Sequence, residues 1–176
     1  MKKIMIYQVD AFTSKLFHGN SAAVCPLENW LDDNIMQSVA MENNLSETAF
    51  FIIKNNKFYI RFFTPKVEID LAGHPTLAAA HVIFKYICPN LKEIQFNTKN
   101  GERLNIKKQK NIISMDFPSD KSVVQNKSLR KMSTILRIEP IQFLIGRYAL
   151  AIYRSQKDIA SIKPNLEAML MLPYDG

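Results

Sequence analysis

Residues 73–84, Gly-His-Pro-Thr-Leu-Ala-Ala-Ala-His-Val-Ile-Phe, constrain the fold of this chain more than any other stretch. From Leu77 to Phe84 the only polar side chain is His81. A helix lying on one flat sheet keeps a wet face. A helix that lacks one must be enclosed around most of its circumference, and a sheet curled around it does that. An enclosed helix still begins with backbone N–H groups that have no intrahelical acceptor. Pro75 fits the first helical position, where a missing N–H loses no bond, so the helix is expected over about residues 75–86. Gly73 permits close backbone approach, and His74 with its neighbouring N–H groups lies at the positive end of the helix dipole. That combination suits a carboxylate or phosphate. A plain helix start, with His74 a satisfied core histidine, suits the same residues.

The strands for such a sheet are present. Apolar or alternating runs predict strands over residues 3–12, 22–26, 48–54, 57–64, 93–98, 102–107 and 112–117. In the first, Ile4, Ile6, Val9 and Phe12 are core candidates. Lys54-Asn55-Asn56-Lys57 reads as a hairpin turn between two of the runs. A second helix is expected over 32–43, N-capped by Asp32, with Ile35, Met36, Val39 and Ala40 on one face. Residues 1–118 therefore read as a β-roll domain with a central helix. The character changes after the segment 115–120, Met-Asp-Phe-Pro-Ser-Asp. A linker, a helix over 128–137, strands over 142–145 and 148–153 and a helix over 165–171 follow. Residues 119–176 read as the start of a second, incomplete domain.

With 176 residues, 47% of them hydrophobic, the chain can bury a core without staples. No apolar run is long enough to span a membrane, and the N-terminus lacks the pattern of an export signal. A cytoplasmic location with Cys25 and Cys88 reduced is the expectation. The two cysteines and three histidines have no metal-ligand spacing, so neither a metal nor another cofactor is expected. The formal charge of +7 is dispersed, 14 basic and 11 acidic residues over 1–118 against 9 and 5 over 119–176. Lys-Lys-Gln-Lys at 107–110 reads as a solvated turn; attraction to anions is its functional counterpart. Residues 57–63, Lys-Phe-Tyr-Ile-Arg-Phe-Phe, look like an aromatic RNA-binding strand but lack the glycines of that motif. Their aromatics are expected in the core, and no nucleic-acid partner is expected.

Two further stretches carry chemistry. In Asn-Asn-Leu-Ser-Glu-Thr-Ala-Phe-Phe, residues 43–51, Glu47 stands between a helix end and an apolar strand with Ser46 beside it. A carboxylate at the edge of burial suits proton transfer near neutrality, although capping or ion pairing at a strand entrance fits as well. In residues 17–24, Phe-His-Gly-Asn-Ser-Ala-Ala-Val, Gly19-Asn20 is a turn signal. Asn20 could also offer its amide to a polar ligand.

In this order, Val-Asp-Ala-Phe-Thr at 9–13, Gly19-Asn20, Leu-Ser-Glu-Thr-Ala-Phe at 45–50, Ile-Arg-Phe-Phe-Thr-Pro at 60–65 and Asp-Leu-Ala-Gly-His-Pro-Thr at 70–76 resemble the phenazine biosynthesis-like isomerase family. That family shares the diaminopimelate epimerase fold. The resemblance implies an α+β architecture in which two similar domains each wrap a β-roll around a central helix. It implies an active site between the domains, with helix N-termini facing a substrate carboxylate. By position it implies Glu47 as general acid/base with Ser46 beside it. It implies substrate binding by Gly73, His74, Pro75 and Thr76, and a place for Asn20 near the site. The implied reaction is a cofactor-independent isomerase-type proton transfer on a small carboxylate, cyclic or amino-acid-like.

The sequence departs from the family pattern in two ways. Many relatives carry a cysteine immediately before the Gly-His pair, where this chain has Ala72, and neither Cys25 nor Cys88 falls at such a motif. A single carboxylate therefore fits better than a two-thiol racemase mechanism. The second domain also stops short of the expected Gly/Ser-rich turn, central helix and acidic residue. An inactive remnant, or a module that binds a small anion or a protein partner, is the alternative reading. A homodimer would cover an exposed cleft or strand edge.

Overall fold

The computed structural model describes residues 3–117, 119 and 121–173. They fall into two compact units, Met1–Phe117 and Pro118–Gly176; the foreseen domain break at 118/119 touches Pro118, which is outside the described residues.

The first unit contains β1 (Tyr7–Ala11), β2 (Asn20–Leu27), α1 (Asp33–Asn43), β3 (Glu47–Lys54), β4 (Lys57–Phe63), β5 (Glu68–Ile69) and α2 (Gly73–Val82). A π-helical turn, Ile83–Ile87, continues α2, and β6 (Glu93–Thr98), β7 (Arg103–Gln109) and β8 (Ile112–Asp116) follow. The sheet order is β1-β2-β3-β4-β6-β7-β8, with β5 added to β4. The pairs β2–β3 and β4–β6 are parallel and the others antiparallel. Each parallel pair is bridged by a helix, as parallel connections require.

The two helices cover opposite faces. Ala22, Val24, Ala49, Phe51, Ile60, Phe62, Phe96, Leu104 and Ile106 turn toward α2, whose Ala78, Ala79, Ala80 and Val82 complete one core. Cys25, Phe50 and Phe63, one residue out of phase, turn toward Met36 and Ala40 of α1. This explains the unbroken apolar run of β3, which is buried on both sides. Helix α2 touches β1 and β8, the two edges of the sheet, as well as β2 and β3. A helix can touch both edges only if the sheet curls around it. The fold is therefore α+β, a β-roll around a central apolar helix, as the composition of residues 77–84 requires.

Several expectations need correction. Helix α2 begins at Gly73, not Pro75, and gives way to the π turn at Ile83. Pro75 is thus its third residue, where an absent N–H is still harmless because the first four lack acceptors. Strand β1 covers only Tyr7–Ala11. Ile6 is exposed and Phe12 is 73% exposed, while Ile4 and Val9 pack beside the cores. Phe12 has φ 64°, so the strand direction is already broken there. Ile35 of α1 also faces solvent. Asp32 does occupy the N-cap position, without a side-chain capping bond. The short β5 was not foreseen. The hairpin at 54–57 forms as expected, Asn55 and Asn56 taking φ 51° and 58°, the left-handed pair that a tight two-residue hairpin needs. The aromatics of 57–63 belong to the core, Tyr59 being the half-buried exception.

The second unit has a three-stranded antiparallel sheet of β9 (Val123–Val124), β10 (Gln142–Ile145) and β11 (Ala149–Ile152). Helix α3 (Leu129–Leu136) packs Met132, Ile135 and Leu136 on Phe143. Two short helices follow, α4 (Gln156–Ala160) and α5 (Leu166–Leu170). β9 and α4 were not foreseen, although Ser155 and Asp158 form a capping box that the spacing spells out. No helix among the described residues is long and apolar enough to cross a membrane.

Candidate active site

Four of the residues singled out by the sequence meet at one rim of the first unit. Parallel pairing of β2 with β3 sets Ala22 opposite Glu47, which brings Asn20, at the start of β2, beside Ser46. The Ser46 hydroxyl lies 3.3 Å from Asn20 Oδ1 and 3.4 Å from the carbonyl of Ser21. It is also 3.3 Å from His74 Nε2, in the first turn of α2. His74 Nε2 in turn approaches Glu47 Oε2 at 3.1 Å. Glu47 turns toward α2 because 47, 49 and 51 share the inner face of β3.

Burial divides the four. His74 is 9% exposed and Glu47 20%, whereas Asn20 and Ser46 are open to solvent. Glu47 Oε2 is a buried oxygen without an aligned hydrogen bond among the described residues. His74 approaches it closely but off-line. The single Ser46 hydroxyl proton serves either Asn20 Oδ1 or the Ser21 carbonyl, while the Ser46 oxygen can also accept from His74 Nε2–H. Loose spacing of this kind is what an unliganded acid–base site shows before substrate tightens it.

The start of α2 supplies the second component. Its N-cap residue, Ala72, provides no side-chain cap, and an added Cβ at Gly73 would meet nothing within 4 Å. The Cα of Gly73 therefore adjoins open space at the positive end of the helix, where the first N–H groups lack intrahelical acceptors. Pro75 and Thr76 do not reach that space. Pro75 is buried, and the buried Thr76 hydroxyl donates to the carbonyl of Ala72 at 2.6 Å, bracing the turn from inside.

Supporting residues went unnoticed in the sequence. The Ser21 hydroxyl donates to Asp10 across β1–β2, fixing the strand end that carries Asn20; an acid within an apolar strand was the available signal. Gly19, already read in the sequence as part of a turn, supports the site in another way. Its φ is +84°, and a Cβ there would lie 2.3 Å from the carbonyl of Ala11.

Thiol chemistry does not enter this site. Cys25 is buried in the outer core, and burial pushes its thiol up to about 12, which suppresses the thiolate. Cys88 lies beyond the far end of α2. No group of three or more His, Cys, Asp or Glu among the described residues is arranged to hold a metal. A concavity of 1280 Å³ lies at the opposite end of the roll between Asn56, Ile87, Gln95 and Arg103. It is lined by none of the residues gathered at the rim. The buried carboxylate oxygen and the uncapped helix make the rim the stronger candidate.

Comparison with known proteins agrees with this architecture. The family model described as phenazine biosynthesis-like protein matches residues 9–175. An uncharacterized isomerase of Pseudomonas aeruginosa is 38% identical over 99% of this chain and 66% of its own length. One from Halalkalibacterium halodurans is 39% identical over 97% and 65%. The chain thus spans slightly less than two thirds of these curated relatives. A crystal structure of a phenazine biosynthesis protein of the PhzF family from Enterococcus faecalis superposes with a TM-score of 0.85 at 35% identity, covering 96% of this chain and 64% of that one. A Pseudomonas aeruginosa protein described as a predicted epimerase, 19% identical with a TM-score of 0.76 over 98% of this chain and 68% of that one, shares the fold.

Proposed function

Because the chain belongs to the phenazine biosynthesis-like protein family, we propose that it serves an isomerase-type proton transfer on a small carboxylate, with Glu47 as general acid/base. The observation that carries this reading is the buried Oε2 of Glu47, 3.1 Å from His74 Nε2 at the uncapped start of α2. The N–H groups of Gly73 and His74 hold the substrate carboxylate. Glu47, as carboxylate, takes a proton from an acidic carbon of that substrate and returns it at another position of the same molecule. Atoms and charge balance without a cofactor. Ser46 and Asn20 orient the groups around the transferred proton. Positioned acid–base groups of this kind contribute about 10²–10⁴-fold to a rate.

The test is deuterium uptake. The folded chain is incubated in D₂O with a panel of unsaturated and amino carboxylates while incorporation at carbon is followed by NMR. Uptake that disappears in Glu47→Gln supports the reading; equal uptake in that variant refutes it.

A second reading, a module that binds an anion or a partner without turnover, draws on a different observation. Phe12, Leu16 and Phe17 are exposed in the loop that precedes Asn20, Phe17 to 95%. Isolated apolar groups are ordinary, but a contiguous set marks an interaction surface. Shifts of the Gly73 and His74 amides on adding carboxylates, with no deuterium uptake and with self-association of the chain, favour this reading.

A further inference from the structure

Arg61 is 9% exposed in a protein whose proposed chemistry does not use it. Its Nε and Nη2 donate to Oε1 and Oε2 of Glu68 at 2.7 and 2.8 Å, a bidentate fork. Its Nη1 lies 2.9 Å from Asp33 at the start of α1. The guanidinium also stacks over Trp30 and Phe63, 5.5 and 5.2 Å from the ring centroids. All of this is on the outer face of the sheet, away from α2.

The fork nevertheless governs how the chain reaches α2. Strand β5 has two residues, and its ladder consists of Phe62 with Ile69 and Phe63 with Glu68. So short a strand is not stable alone. The same register runs on into β3, where Phe63 pairs with Thr48, the neighbour of Glu47. Glu68 and Glu47 thus stand two strands apart on one rim, facing opposite sides. After Ile69 only residues 70–73 precede His74. Ile69 and Leu71 pack into the inner core, and Ala72 is buried. The turn before β5 is fastened as well. Thr64 Oγ1 accepts from the N–H groups of Lys66 and Val67, and the Thr64 carbonyl accepts from Gln37 of α1.

Stability alone does not call for such a pair, since a buried ion pair is commonly replaceable by apolar side chains without loss. A planar fork does supply what apolar contacts lack, a fixed direction. The N-cap residue of α2, Ala72, makes no side-chain cap, so the segment that leads into the helix shares with core packing in setting its first turn.

We infer that Arg61 and Glu68 are positioning residues for the proposed site: their fork anchors β5 and thereby holds His74 against Glu47. This inference rests on the acid–base reading only for its consequence, because the coupling itself is a property of the unliganded chain.

The experiment needs no substrate. In the full chain, nuclear Overhauser contacts between the His74 ring and Ser46 and Glu47 are compared in Arg61→Lys, Glu68→Gln and Lys99→Met, with amide exchange measured throughout the first unit. Arg61→Lys keeps a charge but removes the fork. Lys99→Met removes an exposed partner of the same carboxylate, 2.7 Å from Oε2, and leaves the fork. The expected result is loss of at least about half the His74 contact intensity in Arg61→Lys and Glu68→Gln, with about tenfold faster exchange over residues 69–76 and unchanged protection in β7. Lys99→Met retains the parent pattern. Intact His74 contacts in Arg61→Lys overturn the inference, as does a rise in exchange spread evenly over the unit, which marks a merely structural pair. Absence of deuterium uptake in the parent chain would bear on the catalytic reading and leave this coupling standing.

Discussion

Glu47 and Glu68 begin two strands of one rim, and their surroundings could hardly differ more. Glu68 receives two bonds from Arg61 and one from Lys99. The Arg61 hydrogen bonds, foremost among several causes, hold its carboxyl below the usual range against the opposing effect of burial. It stays ionised and does nothing but hold. Among the described residues Glu47 has no guanidinium or ammonium paired with it, only an off-line imidazole at 3.1 Å. The comparison teaches that burial of a carboxylate is a poor sign of function; incomplete satisfaction, which Glu102 Oε2 also shows, becomes informative at Glu47 because it coincides with His74 and a helix start. A saturated acid fixes geometry; an unsaturated one can change its proton.

The contrast can be broken most forcefully at Arg61. Arg61→Met leaves Glu68 without its fork and should cost about 3 kcal/mol in urea denaturation, the lower end for a broken buried pair because the carboxylates keep some solvent. Gly19→Ala should cost more than about 1 kcal/mol by forcing a Cβ into Ala11 at positive φ. It should also displace the Asn20 resonances while sparing those around Glu68.

Smaller effects concern pH. Glu68 and Asp33 both titrate below their ordinary values in the folded chain, chiefly through hydrogen bonds from Arg61. A lowered carboxylate contributes stability above its unfolded pKa, about 4, that is lost as pH falls through the folded value. Stability should therefore decline in acid below about pH 4, and Arg61→Met should flatten that limb. The smallest effect belongs to His81, pushed down by burial and then by Lys85 and Lys108. Its contribution is present above the unfolded value, about 6.5, and is lost as pH falls through the folded one. Denaturation at two pH values either side of 6 should show less difference in His81→Gln than in the parent.

Much of this arrangement was legible in the residues. The single polar side chain between Leu77 and Phe84 demanded an enclosing sheet, and α2 touches both sheet edges. The loci of Asn20, Ser46, Glu47 and His74 were also readable, because each stands at a break between an apolar element and a turn. What was not legible depended on contacts distant in sequence. Thr76 looked like part of an open site, but its hydroxyl closes on Ala72. Nothing in residues 57–63 marked Arg61 as buried, and only the packing of α1 and its neighbours on the outer face of the sheet reveals why it is. Strand β5 has no periodicity to read, being two residues held by a side chain from the neighbouring strand. Phe12 matched the pattern of a core position, yet lies where β1 has already ended.

The most direct measurement pairs two quantities in one variant, Glu47→Gln: deuterium uptake by small carboxylates and the free energy of unfolding. An acid with an unsatisfied buried oxygen, placed for chemistry, predicts uptake reduced about 10²–10⁴-fold with stability changed by no more than about 0.5 kcal/mol. Uptake at the parent rate, or stability lost by about 3 kcal/mol as for a broken buried pair, would show instead that Glu47 is a second structural carboxylate like Glu68.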